Sequence, residues 1–397
     1  MVLDAVLSYI LGGLMDLIRF PPSSGTNLVL SNAKLVEGWD SLTWIERYRD
    51  SGEFTIKADA SSHIRDDLPV GALISHLNTP ELMIVENHEI QSEEDDVDKV
   101  TITGRSFEVF LEQRIVGCNR NWAAPVYPMP DFILTADKTW VQAERFINQH
   151  IFAGYDSWDL SNGITNVMAY MKDSLRHANP SGFVEDRSIP RGEVYKQLID
   201  ILAIDSLGIK SSRPCSLSVL ADPETGSCPE ILALEIHIGT NKTDKISFSH
   251  EFGDIESGNY LQTSKSDKNA ALVVGKFVEV PVYEELIVGF DRRWMVVDGS
   301  DIDGQFSEAP TGGDLLNVRK LMTSRGKQAL TKQNPIEIVN PKIIKTSNHY
   351  KYREDYNVGD LVSVNGEYNS NSIQRVIEFV EIEDDEGEVG YPTFSEP

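Results

Sequence analysis

A chain of 397 residues, 41% of them apolar, is long enough for two or three domains with real cores, which excludes global disorder. Its 36 basic against 62 acidic residues leave a formal charge of −26, a surface unsuited to gripping nucleic-acid phosphates or anionic membranes. Such a surface repels DNA, which suits a conduit as well as it suits plain solubility.

The chain begins MVLDAVLSYILGGLMDLIRF. Leu3, Leu7, Ile10, Leu14, Leu17 and Ile18 recur at helical spacing and predict a helix. With no basic n-region and with Asp4 and Asp16 present, a signal peptide fits poorly, and the segment is too short and charged to span a bilayer. Its broad apolar face either docks on the chain's own core or packs on another subunit. Pro21-Pro22-Ser23-Ser24-Gly25 reads as a linker.

Asn27 to Val36 is the first strand candidate. From Leu42 to Val116, alternation marks a compact set of hairpins. Phe54, Ile56 and Ala58 alternate with Glu53, Thr55 and Lys57 after the turn Asp50-Ser51-Gly52. Leu73 and Leu77 precede the turn Asn78-Thr79-Pro80, and Leu82 to Val85 returns. Val100 and Ile102 lead through Gly104 and Arg105 to Ser106, a candidate N-cap for a helix carrying Phe107, Phe110 and Leu111. Gln91 to Asp98 is an acidic hairpin tip. Gly117 to Pro130 reads as an irregular connection.

Three helices are then predicted. The first carries Trp140, Ala143, Ile147 and Ile151 and stops at Gly154. The second carries Ile164, Val167, Met168, Met171 and Leu175, and the third Val194, Leu198, Ile201 and Leu202. Strands return after Ser216: Leu232 to Ile238, Ile246 to Phe248, Asn269 to Val274 and Phe277 to Tyr283. Asp298 to Gly313 is a Gly- and Asp-rich loop. A helix with Leu315, Val318, Leu321 and Met322 follows, interrupted near Gly326. Ile336 to Lys345, Leu361 to Val364 and Ile373 to Ile382 are extended, and Glu383 to Gly387 is a second acidic turn.

The pattern is α+β, mainly β: two barrel-like β domains flanking a helix-rich module. The implied boundaries are 1–24 for the N-terminal helix and linker, 25–117 for the first β domain, 118–212 for the helix-rich α/β module, and 213–397 for the second β domain with an inserted helix over 313–332. The two β regions are similar in scale, as two copies of one module would be.

No catalytic, cofactor or metal site stands out. Cys118, Cys215 and Cys228 form no CxxC, against both a disulfide framework and a thiolate zinc site; one bridge from Cys215 to Cys228 stays open. The eight histidines form no metal-binding pair, and His237 falls on the polar face of its strand. Asp298 to Gly304 has a calcium-loop composition, but Ile302 occupies a position that should carry an oxygen. No GxSxG, P-loop or GxGxxG occurs in a strand–turn–helix context. Binding or scaffold roles therefore outrank catalysis.

Four segments, in this order, carry a family resemblance: Trp44 to Ala58 with its GEFTI strand; Val100 to Ile115, where ITGRSFEVFLEQRI holds Arg105 and Arg114; Gln262 to Gly275 with SKSDKNAALVVG; and Lys351 to Val364 with Ile373 to Ile382, where YREDYNVGDLVSV precedes IQRVIEF. Together they resemble the siphovirus minor tail protein or tail-tip baseplate hub family, related in architecture to the N-terminal part of tail-associated lysins and to contractile-phage hubs. The N-terminal helix lies outside the resemblance. The resemblance implies a homotrimeric, non-enzymatic virion protein at the tail tip, with no cofactor. It would meet a distal tail protein ring, tape-measure protein and fibre or receptor-binding proteins while DNA passes without specific binding. Two alternatives remain: a tail-associated cell-wall hydrolase using Asp156, Asp159 and Glu185, and a carbohydrate-binding receptor module using Trp122, Trp140 and Trp158.

Overall fold

The computed structural model describes residues 17–20, 30–31, 34–61, 63–76, 79–92, 98–116, 132–147, 150, 170–172, 185–212, 227–228, 233–263, 267–283, 287–331, 336–343, 349–366, 371–385 and 387–396. The first third contributes strands β1 (Leu17–Phe20), β2 (Lys34–Val36), β3 (Ser41–Arg47), β4 (Glu53–Asp59), β5 (Leu73–His76), β6 (Met83–Gln91) and β7 (Lys99–Ser106). Between residues 132 and 212 lie α1 (Thr139–Ile147) and α2 (Val194–Leu202). Later come β8 (Ser247–Ser249), β9 (Ala270–Val274), β10 (Glu279–Tyr283), β11 (Trp294–Asp298), α3 (Gly312–Thr331), β12 (Leu361–Asn365), β13 (Asn371–Asp384) and β14 (Gly387–Ser395). The fold is α+β and mainly β.

One sheet of eleven strands dominates, in the order β8-β12-β13-β3-β4-β7-β6-β5-β1-β2, with β14 on β13. It joins the two ends of the chain. β13 runs antiparallel to β3, with Glu378 opposite Arg47 and Val380 opposite Ile45. The period-two pattern sets its inner face: Leu42, Trp44, Phe54, Ile56, Val100 and Ile102 are buried, with Trp44 stacked on Phe54 at 6.2 Å. None of the described sheets closes on itself, so the two expected barrels do not stand as separate closed cylinders.

Several local expectations are corrected. Leu17 and Ile18 lie in strand β1, paired with both β2 and β5. Pairing on both sides satisfies this backbone, and Leu17 and Phe20 are fully buried, so tertiary contact overrides the helical period. Residues 1–16 of the expected helix lie outside the described residues, as do Pro21 to Gly25. Likewise Met171 lies in a strand, Tyr170–Lys172, parallel to Ala233–His237, not in a helix. The remainder of that helix is outside the described residues, as is Cys215 of the possible bridge to Cys228. The expected helix after Ser106 is a seven-residue 3-10 helix, Phe107–Gln113. Ser106 stands at its N-cap position but caps nothing; its hydroxyl turns inward to Glu81.

The small sheet β10-β9-β11 packs one face on α3 through Val273, Val280, Val282, Val318 and Met322. α3 runs unbroken through Gly326. A Cβ there would stand 2.6 Å from Val282 Cγ2, so this glycine sets close helix–sheet approach and not a break. The expected loop after Asp298 contains a short helix, Ser300–Asp303. Its carboxylates serve the protein itself. Asp303, fully buried, accepts the backbone N–H groups of Lys276 (2.7 Å), Phe277 (2.7 Å) and Val278 (2.9 Å). Asp301 pairs with Arg325, and Asp298 accepts the Ser300 N–H. Asp303→Ala should cost about 3 kcal/mol, because three donors lose a charged acceptor in a dry turn. A denaturant titration checks this, and a loss below about 1 kcal/mol would show that the turn does not depend on Asp303.

Candidate functional site

Two features stand out: a buried joint that draws separated regions together, and an open sheet face. The joint centres on Tyr48, just past β3. Its hydroxyl donates to the Ser206 carbonyl at 2.6 Å, and its ring lies 5.2 Å under the Arg375 guanidinium. Arg375 in turn donates to the Gly359 carbonyl at 2.6 Å. The backbone closes on the same residue: the Ile209 N–H reaches the Tyr48 carbonyl at 3.2 Å. Residues 48, 206–209 and 359–375, far apart in the chain, therefore meet at one side chain. His237 is not the surface residue expected. It is half-buried, edge-on to Tyr48 at 5.1 Å, and burial pushes its pKa down to about 4.

A second cluster is built of carboxylates. Glu46 on β3 accepts from Tyr352 Oη at 2.6 Å and Arg353 Nη2 at 2.8 Å. Arg353 also grips Glu381 on β13 with two bonds of 2.9 Å. Glu81 takes the Ser106 hydroxyl at 2.7 Å, and Glu108 takes the Ser211 hydroxyl at 2.5 Å. Burial raises the Glu46 pKa, but Arg353 together with the Tyr352 and Thr79 hydroxyls outweighs it and holds this carboxyl below its ordinary value. Glu381 is raised, burial outweighing Arg353. Glu81 is pushed well up by burial and by Glu46 and Glu108 beside it. Glu108, only 1% exposed, is pushed by burial to about 7.

A pH dependence follows. The folded protein binds the Glu108 proton more tightly than the unfolded chain does, so its contribution to stability is lost as pH rises from the ordinary carboxylate range through about 7. Glu108→Gln removes this loss. The variant should gain about 2 kcal/mol on wild type between pH 5.5 and pH 8.5, by urea denaturation. Equal pH slopes for the two proteins would refute the assignment.

The open face belongs to the small sheet. Opposite α3, Trp294 (45% exposed) and Val296 (72%) stand in the open, with Phe290 fully exposed in the preceding 3-10 turn, Gly289–Asp291. Tyr283 meets Trp294 edge-on at 6.0 Å, and Arg292 lies 4.2 Å over Tyr283.

The residues proposed for catalysis are not assembled into a site. Glu185 begins the strand Glu185–Ile189, paired with Phe132–Asp137, while Asp156 and Asp159 lie outside the described residues. Of the three tryptophans, Trp140 packs half-buried on a core shared by Phe20, Leu82, Phe107, Phe146 and Leu198, and Trp122 and Trp158 lie outside the described residues. Among the described residues no group of His, Cys, Asp and Glu is placed to hold a metal, and no helix is long and apolar enough to cross a membrane. The carboxylate joint escaped sequence reading because its members span Glu46 to Glu381. The available signal was a charge inside an apolar run: Glu108 in FEVFL and Glu381 in FVEI.

The tail protein from Neisseria meningitidis MC58 has a similar fold, with a TM-score of 0.50, 10% identity and coverage of 96% of each chain. The 43 kDa tail protein of prophage MuSo2 from Shewanella oneidensis gives a TM-score of 0.48 at 10% identity over 97% of each chain. Prophage tail protein gp18 from Listeria monocytogenes EGD-e gives 0.48 at 8% identity, over 96% of this chain and 94% of that one. No curated protein matches the chain in sequence. The family described as Siphovirus ReqiPepy6 Gp37-like protein matches residues 29–393, nearly the whole length. The chain therefore belongs to the Siphovirus ReqiPepy6 Gp37-like protein family.

Proposed function

We propose that this chain is the hub at the tip of a siphovirus tail, a homotrimer that closes or guides the end of the tail tube. The family match over residues 29–393 carries the reading. The chain is a structural component of the tail. Three further features support the hub role. The main sheet pairs residues 42–47 with residues 378–383, so the first and last β regions share one sheet suited to bearing load. The charge of −26 suits a conduit past which DNA slides without adhering. Arg375 over Tyr48 and Arg353 on Glu46 hold together the two β regions, barrel-like units that assembly would complete. The partners would be a distal tail protein ring above, tape-measure protein within, and fibre or receptor-binding proteins outside. The role is non-enzymatic.

Sedimentation of the purified chain and imaging of the labelled protein in particles test this. A trimer located at the tail tip is expected. A stable monomer absent from virions would overturn the proposal, and clearing of host cell walls in a zymogram would overturn the non-enzymatic part.

A further inference from the structure

The small sheet has two free edges, and they are built differently. The ladder defines which backbone groups face outward. Ala270 N–H donates to the Arg293 carbonyl, and Gly299 N–H donates to the Val274 carbonyl. In β11, residues 293, 295, 297 and 299 therefore point toward β9, and Trp294, Val296 and Asp298 point away. On the other side Gly275 N–H donates to the Val278 carbonyl, so Val278, Val280 and Val282 point toward β9. The outward groups of β10 are those of Glu279, Pro281 and Tyr283. The edge of β10 thus has a proline at its middle outward position, where no N–H is available, and a carboxylate beside it. These are two standard protections against strand pairing.

β11 has no proline, and its one charged residue, Asp298, stands only at the last outward position. Its sequence from Trp294 to Val297 is Trp-Met-Val-Val, with no proline and no charge. The outward N–H and C=O groups of Trp294 and Val296 have no partner among the described residues. The same two side chains are exposed on the open face. At the end of the strand, Arg325 already takes the Asp298 carbonyl, which limits the free ladder to the first two outward positions.

We propose that the edge of β11 is a strand-addition site that receives a short extended segment of a neighbouring protein. The segment's chemistry follows from the edge. Its alternate residues are apolar, so that they lie beside Trp294 and Val296, and its backbone completes the ladder at those two positions. The partner is a different protein and its segment is basic, because the −26 of this chain draws a basic segment in at long range. The proposal goes beyond the hub reading and does not depend on it.

Amide hydrogen exchange on the full chain tests the site. The probe is a synthetic peptide, Lys-Thr-Val-Thr-Val-Thr-Val-Lys, compared with the same peptide carrying proline at its central valine. Protection of the Trp294 and Val296 amides by about tenfold, saturable with the first peptide and absent with the second, is expected for completed ladder hydrogen bonds. Val296→Pro should abolish the protection while leaving the fold intact, since Pro281 already occupies the equivalent position in β10. A melting curve confirms the fold, and Val296→Lys, which keeps the N–H, serves as a second variant should the proline unfold the small sheet. Absence of protection, equal protection by the proline peptide, or protection that survives Val296→Pro would overturn the proposal. So would self-association of the free chain that Val296→Pro removes, because the occupant would then be a second copy. None of these results bears on where the protein sits in the tail.

Discussion

Replacing Arg353 with methionine should destabilise the protein by about 3–5 kcal/mol at pH 8, the largest loss expected from any single charge. Arg353 is the cation between Glu46 and Glu381, with Glu81 close behind. It also holds a backbone φ of 69°, a left-handed conformation that costs a side-chain-bearing residue about 1–2 kcal/mol. The two carboxylates repay that strain only while the guanidinium is present. Without it, burial dominates at both acids, and both take up protons more readily when folded. The sign then follows. In the wild type the depressed Glu46 adds stability above its ordinary titration range, lost as pH falls through its lowered pKa. In Arg353→Met the same acid becomes a cost that grows as pH rises. The deficit should therefore shrink toward pH 5. Urea titrations at pH 5 and pH 8 decide it, and a pH-independent loss, or one under about 1 kcal/mol, would show that the cluster is not electrostatically closed.

The second large effect is expected at Gly239. A Cβ at this position would collide with the Gly359 carbonyl and lie 2.6 Å from Asp360 N, so it meets backbone and not a movable side chain. Gly359 has nowhere to retreat: it sits at φ +99°, and its own Cβ position is 2.7 Å from Tyr48 Cδ2. Gly239→Ala should thus cost about 3 kcal/mol, the upper end of overpacking losses, and should separate the strand Ala233–His237 from the C-terminal strands. Gly253→Ala is the control. It has φ +76° but open space around it, and should cost only about 1 kcal/mol from the backbone alone. Equal melting temperatures for the two variants would remove Tyr48 and its glycines from the role of central joint.

Alternation and helical spacing made much of the secondary structure legible. Phe54, Ile56 and Ala58 point inward as their period requires, and Val194, Leu198, Ile201 and Leu202 line one buried helix face. These signals are local, since one strand or helix writes its own period into adjacent residues. The family resemblance was legible too, because it rests on ordered short segments. The site was not. The open edge of β11 is invisible in sequence, as Trp-Met-Val-Val reads the same whether or not a neighbour covers it.

The sequence by itself determined the α+β, mainly β composition, the acidic surface, most strand and helix positions and the tail-protein resemblance. Tertiary structure alone decided that Leu17–Phe20 is a strand, that β13 lies against β3 from the opposite end of the chain, and that Glu46, Arg353 and Glu381 meet largely out of water. The physical reason is range. Periodicity is set by bonds between neighbours, whereas strand partners, desolvation and the resulting protonation states depend on what distant residues bring to the same place.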